Sequence, residues 1–117
     1  MFKRDTLYLL EAGFSDPRYP GERFLCPDGA AIEGLLASDH SRAARFDIIR
    51  VPFPKPREAV VSALDADHQG VPVFILGDEH DAPDDVKTLH GRRYVDDPAR
   101  ILALLAERHG FPKVHGS

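Results

Sequence analysis

Apolar positions along the chain follow two periods. Short runs rich in strand formers occur at Thr6-Leu7-Tyr8-Leu9-Leu10, Phe46-Asp47-Ile48-Ile49-Arg50-Val51, Val73-Phe74-Ile75-Leu76 and Gly91-Arg92-Arg93-Tyr94-Val95. Each is too short for a helix and is bounded by turn residues, so the pattern predicts four strands. Elsewhere apolar residues recur at three- and four-residue spacing, the period of one helix face. Ile32, Leu35 and Leu36 mark a helix from about Pro27 to Ser38. Val60, Val61 and Leu64 mark one from Arg57 to about Ala66. Ile101, Leu104 and Leu105 mark a third from about Pro98 to His109.

The breaks between these runs carry their own chemistry. Proline suits a first helical position, where its missing N–H needs no partner, and this places Pro27 at a helix start with Cys26 at or beside the cap. Asp96-Asp97-Pro98 predicts the start of the last helix, with aspartate capping, and Gly110 followed by Pro112 predicts its end. Ser38-Asp39-His40-Ser41 ends or interrupts the first helix, and Arg42-Ala43-Ala44-Arg45 adds a turn. Gly34 costs about 1 kcal/mol relative to alanine inside a helix, a cost that a close approach to a neighbouring strand would explain. Glu11 to Leu25 is a long loop holding Phe14, Tyr19 and Phe24. These rings either anchor the loop to the core, the commoner fate of such residues, or fold it over Cys26. Gly77 to Asp85 predicts an acidic surface turn.

The order is strand, helix, strand, helix, strand, strand, helix. A strand–helix–strand opening predicts a parallel crossover, and the short connection between the last two strands predicts an antiparallel pair. The expected architecture is an α/β domain with one four-stranded mixed sheet and helices on both faces. The length of 117 residues fits one domain, residues 1–117, and the 43% hydrophobic content allows a modest core. A net charge of −4, from 15 basic and 19 acidic residues, argues against nucleic acid as a partner. No apolar run approaches membrane-spanning length, and the start lacks a signal-peptide core. The expectation is a cytoplasmic protein without a membrane partner.

Cys26 is the single cysteine, so no internal disulfide forms. At a helix start, free backbone N–H groups and the helix dipole favour a thiolate, whereas Asp28 beside it opposes one. The opposing reading is an inert, buried cysteine packed as a small hydrophobe. Pro72 at the opening of a buried strand and Asp96 and Asp97 at a helix start are the other candidates for binding. Asp78, Glu79, His80, Asp81, Asp84 and Asp85 form an acidic stretch without the spacing of a known metal loop, so no metal site is expected there. Of Arg92 and Arg93, strand alternation lets only one face any given anion.

Three landmarks together resemble a thioredoxin-like fold. Cys26-Pro27-Asp28-Gly29 stands where glutaredoxins carry Cys-Pro-x-Cys or Cys-Pro-x-Ser. Val71-Pro72 stands where that fold has its cis-proline. Asp96-Asp97 stands where glutaredoxins and glutathione transferases hold the γ-glutamyl group of glutathione. The stretch from Val71 to Gly110 resembles the amino-terminal domain of glutathione transferases. The whole sequence, notably Asp16-Pro17-Arg18-Tyr19-Pro20-Gly21, is similar to an uncharacterised bacterial family, domain of unknown function 3088.

The resemblance implies a monothiol, glutathione-linked thiol–disulfide exchange through Cys26, with Val71, Pro72, Asp96 and Asp97 binding glutathione or an extended thiol peptide. Glutathione is then a co-substrate rather than a resident cofactor, and a thiol or disulfide protein is the alternative partner. Gly29 replaces the second motif cysteine, so an outside thiol must resolve any mixed disulfide. Two other readings stand beside this one. One is a non-catalytic binding or interaction module that keeps the fold. The other is a transferase-like glutathione binder in which Cys26 is incidental.

Overall fold

A computed structural model describes residues 3–79 and 81–115. The elements are β1 Thr6–Leu10, α1 Pro27–Ser38, α2 His40–Ala43, β2 Asp47–Val51, α3 Glu58–Ala63, β3 Val73–Leu76, β4 Lys87–Leu89, β5 Arg92–Val95 and α4 Pro98–His109. One mixed sheet has the order β2-β1-β3-β5-β4. β1 runs parallel to β2, while β3 is antiparallel to both β1 and β5.

The sheet has five strands where the hydrophobic pattern predicts four. The extra strand, β4, is the edge strand paired to β5. Its sequence Lys-Thr-Leu is three residues long and largely exposed, so it leaves no alternation to read. His90 and Gly91 turn the chain between β4 and β5, with φ of 51° and 77°. Two consecutive positive φ values suit a tight hairpin turn whose twist matches the strands, and Asn-Gly is its usual signature.

Alternation along the strands sends two sets of side chains to opposite faces. Leu7, Leu9, Phe74, Leu76 and Val95 pack against Ile32, Leu35 and Leu36 of α1 and Ile101, Leu104 and Leu105 of α4. Tyr8, Val73, Ile75 and Tyr94 pack against Val60, Ala63 and Leu64 of the α3 region. Helices therefore cover both faces, as expected.

Several local expectations are corrected. α3 stops at Ala63 because Leu64 leaves helical geometry, with φ −124° and ψ −92°. Asp39 does more than end α1: its carboxylate accepts hydrogen bonds from the backbone N–H of Ser41 and Arg42 and starts α2. A Cβ at Gly34 would meet nothing within 4 Å, so no close strand approach explains that glycine. Phe14, Tyr19 and Phe24 neither join the core nor act alone. Phe14 stacks on Phe53 at 4.7 Å, and Phe24 links Phe14 to Tyr19. The loop is thus tied to the proline-rich segment after β2.

A buried ionic cluster closes one end of the sheet. Asp5, just before β1, accepts hydrogen bonds from Arg108 Nε (2.7 Å) and Nη2 (2.7 Å), His109 Nε2 (2.8 Å) and the backbone N–H of Gly77 (2.8 Å). Burial pushes the Asp5 carboxyl up, but the bonds from His109, Arg108 and Gly77 more than reverse this and hold it far below the carboxylate range. Gly77 is required there, since a Cβ would clash with the backbone carbonyl of Arg4.

Candidate functional site

Strand register brings the sequence candidates to the opposite end of the sheet. Tyr8 pairs with Val73 and Phe74 pairs with Val95. The chain leaving β1, the chain entering β3 and the chain leaving β5 therefore emerge at one edge. Cys26 lies on the first, Val71 and Pro72 on the second, and Asp96 and Asp97 on the third. Val51, paired with Leu10, sends the Pro52–Arg57 segment to the same end.

Cys26 occupies the N-cap of α1 with extended backbone, φ −71° and ψ 120°, and Pro27 opens the helix. Its carbonyl accepts from the N–H of Gly29 and Ala30, both at 3.1 Å, and its side chain makes no capping bond. The residue is half-buried. It borders an apolar cleft of about 420 Å³ with Leu9, Leu10, Leu25, Ala30 and Ala37, over which Glu33 and Arg50 form a two-bond ion pair. Gly29 packs close to the thiol: a Cβ there would lie 3.7 Å from Cys26 Cβ.

A polar cleft of about 350 Å³ adjoins this end, lined by Asp28, Lys55, His68, Gln69, Val71, Pro72 and Asp96 among others. The Val71–Pro72 peptide bond is cis, as the family resemblance implies. Asp96 is exposed and pairs with Lys87 Nζ at 3.0 Å. Asp97 is at the N-cap of α4, but its side chain makes no capping hydrogen bond. The expected aspartate cap is therefore positional only, because the backbone carbonyl of Asp97 alone joins the helix, accepting from Ile101 N–H. Asp97 borders a separate shallow cleft with Asp85, Lys87 and Arg100 rather than the cleft of Pro72.

Arg57 is a component that sequence reasoning missed. It is pinned: Nε and Nη2 donate to the carbonyl of Phe53, Nη1 donates to the carbonyl of Gln69, and its backbone N–H donates to Gln69 Oε1. Burial lowers its pKa from the ordinary value, opposed by electrostatic attraction to Cys26. The fixed guanidinium ties the chain before Val71–Pro72 to the proline-rich segment. Only its place at the start of a predicted helix was visible in sequence, and nothing there linked it to Cys26.

Three of the other candidates, Arg93, Asp78 and Asp85, have partners. Arg93 donates to the carbonyl of Gly77 and to Asp78, and Arg100 pairs with Asp85 and Glu107. His80 lies outside the described residues. Among the described residues, no group of three or more His, Cys, Asp or Glu side chains is placed to hold a metal. No helix of the described residues is long and apolar enough to cross a membrane.

A family model described as Protein of unknown function (DUF3088) matches residues 4–113. The match covers nearly the whole chain, and the chain belongs to that family. No curated protein and no solved structure matches it.

Proposed function

We propose that this family member is a glutaredoxin-like monothiol protein of thioredoxin-like fold, which exchanges disulfides with glutathione through Cys26. The observation that carries the reading is the convergence, at one end of the sheet, of Cys26 at a proline-opened helix cap, Val71–Pro72, and Asp96. The strand order β2-β1-β3-β5, with only β3 reversed against the others, supports the same reading. β4 is then an addition at the edge.

In the proposed cycle, the Cys26 thiolate attacks the glutathione sulfur of a mixed disulfide. The new bond is Cys26–S–S–glutathione; the bond broken is the substrate's own disulfide, whose other thiolate leaves and takes a proton from water. A second glutathione thiolate attacks the glutathione sulfur of the adduct. It releases glutathione disulfide and restores the Cys26 thiolate. Arg57 supplies a nearby positive charge for the thiolate. Asp96 accepts the ligand ammonium, and Val71 offers its backbone to an extended peptide.

The test is reaction with glutathione disulfide followed by intact-mass spectrometry. The expected product is a single glutathionyl adduct at neutral pH, removed by reduced glutathione and absent in Cys26→Ser. No adduct, with alkylation of Cys26 only after unfolding, sinks the exchange reading. Gly29 in place of a second thiol favours the alternative, a non-catalytic glutathione-binding module. That alternative requires glutathione to shift the NMR resonances of Val71 and Asp96 although Cys26 stays unreactive.

A further inference from the structure

α4 carries two apolar stripes, and the core uses one of them. Ile101, Leu104 and Leu105 are fully buried in the cluster shared with the sheet and α1. Ala99, Leu102, Ala103 and Ala106 stand at positions i, i+3, i+4 and i+7, the spacing of a second contact face on a helix. They line an apolar groove of about 530 Å³, which Lys113 and Val114 also border. Ala99 is exposed there, and Leu102, Ala103 and Ala106 are half-buried. Every lining residue belongs to α4 or to the segment after it, so among the described residues no strand and no other helix closes the groove.

One flank of this stripe is charged. Arg100 and Glu107 lie about two turns apart on the same side of α4, joined by Arg100 Nη1 donating to Glu107 Oε2 at 2.7 Å. Asp85 fixes the guanidinium through its other donors, accepting from Nε at 2.8 Å and from Nη2 at 3.1 Å. The Glu107 side chain is 54% exposed and lines the groove. The midpoint of Ala99 and Ala106 and the midpoint of Arg100 and Glu107 both fall about half a residue from Ala103, less than about 1 Å along the axis. The apolar stripe and its charged flank thus share one centre. The basic residue lies toward the N-terminus of the helix and the acidic residue toward its C-terminus.

We propose that this face of α4 docks on the same face of a second copy of the chain, with the two helices antiparallel about a twofold axis at Ala103. A twofold axis across the helices reverses their direction and keeps both charged flanks on one side of the contact. Arg100 of each copy then meets Glu107 of the other, giving two symmetric ion pairs at the margin of an apolar contact. A parallel arrangement carries the flanks to opposite sides and forms neither pair. An isologous contact demands a self-complementary patch, and this charge pattern supplies one, which selects a second copy over an unrelated protein. The small side chains let the helix axes approach to the short end of the usual range of about 8–10 Å. The groove shares no lining residue with the cleft of Cys26, so the proposal stands apart from the thiol chemistry.

Sedimentation velocity of the full chain over a concentration series tests the docking. The unaltered protein is expected to dimerise, and added salt should reduce the dimer by screening the marginal pairs. Glu107→Arg sets arginine against arginine across the axis, and Arg100→Glu sets glutamate against glutamate. Each should weaken self-association about tenfold or more. Mixing these two variants restores opposite charges at both margins, so a heterodimer should form although neither variant pairs with itself. Ala103→Glu places two carboxylates at the axis and should dissociate the dimer with Arg100 and Glu107 intact. Thermal unfolding checks that each variant is folded. Arg100→Glu also faces Asp85, so if it fails to fold, Glu107→Arg and Ala103→Glu decide the matter. A monomer at every concentration overturns the proposal and leaves the groove to a partner of other sequence. A dimer that Glu107→Arg and Ala103→Glu leave unchanged overturns the assigned face, and folded variants that stay apart on mixing overturn the antiparallel arrangement.

Discussion

The two ends of the sheet both gather charged side chains, and they use them in opposite ways. At one end Asp5, Arg108 and His109 are buried, with side-chain exposures of 1%, 6% and 5%. The Asp5 carboxylate there accepts four hydrogen bonds. At the other end Asp28, Asp96 and Asp97 are exposed, Cys26 is half-buried at the border of the apolar cleft, and a polar cleft lined by Asp28 and Asp96 adjoins. A saturated buried cluster holds structure together and has nothing left for a ligand. An open end keeps donors, acceptors and a thiol available. Charge alone does not mark a site; unspent hydrogen-bonding capacity next to a cleft does.

The sharpest way to break this contrast is to disable the closed end. Asp5→Ala leaves the Arg108 and His109 groups buried without their partner, and should cost about 3–5 kcal/mol in denaturant unfolding. A loss below 1 kcal/mol would remove the cluster's structural role. Acid titration gives a second measure. The folded Asp5 carboxyl sits below its unfolded value of about 3.9, so its stabilisation is fully present above that pH. It is lost progressively as pH falls toward the folded value. The expected result is a steeper loss of stability below about pH 4 in the unaltered protein than in Asp5→Asn. Equal slopes would show that other carboxylates carry the acid sensitivity.

Changes at the open end should alter chemistry more than stability. Gly29→Cys places a second Cβ 3.7 Å from Cys26 Cβ, close to the disulfide mean of about 3.8 Å. Mild oxidation should then protect both thiols from alkylation in a monomer of unchanged mass apart from two hydrogens. Two freely alkylated thiols would contradict the packing of Gly29 on Cys26. Arg57→Met removes the fixed guanidinium, and Cys26 alkylation in the folded protein at neutral pH should slow about threefold to tenfold. The unfolded chain serves as the unchanged control, and equal folded rates would free the thiol from Arg57. The smallest effect is expected from Cys26→Ser, below about 1 kcal/mol in stability, because the side chain makes no capping bond. A loss of several kcal/mol would make Cys26 a core residue and reverse the comparison.

Elements with strong local signals were legible in the sequence. α1 and α4 run Pro27–Ser38 and Pro98–His109, the expected bounds, because proline opens each and α4 has Gly110 in the left-handed conformation after it. β1 and β3 were legible as well, since continuous apolar runs mean burial on both sides. β4 was not, because a short polar edge strand is held by its hairpin partner rather than by its own pattern. Cys26, Pro72 and Asp96 were named from the sequence with the help of the family resemblance, and strand register carries all three to one end of the sheet. Asp97 was expected in the same group, yet it faces a different cleft.

Local chemistry, then, determined where helices start and stop, which runs lie inside, and which residue is the sole thiol. Long-range pairing decided which charges are spent. Asp5 meets Arg108 across more than a hundred residues, and Asp65 meets His90 across 25. Arg57 and Cys26 come to the same end of the sheet because parallel β1 and β2 end together. Periodicity reports burial along one element, whereas a carboxylate's partner depends on the register between elements, and only the folded sheet sets that register.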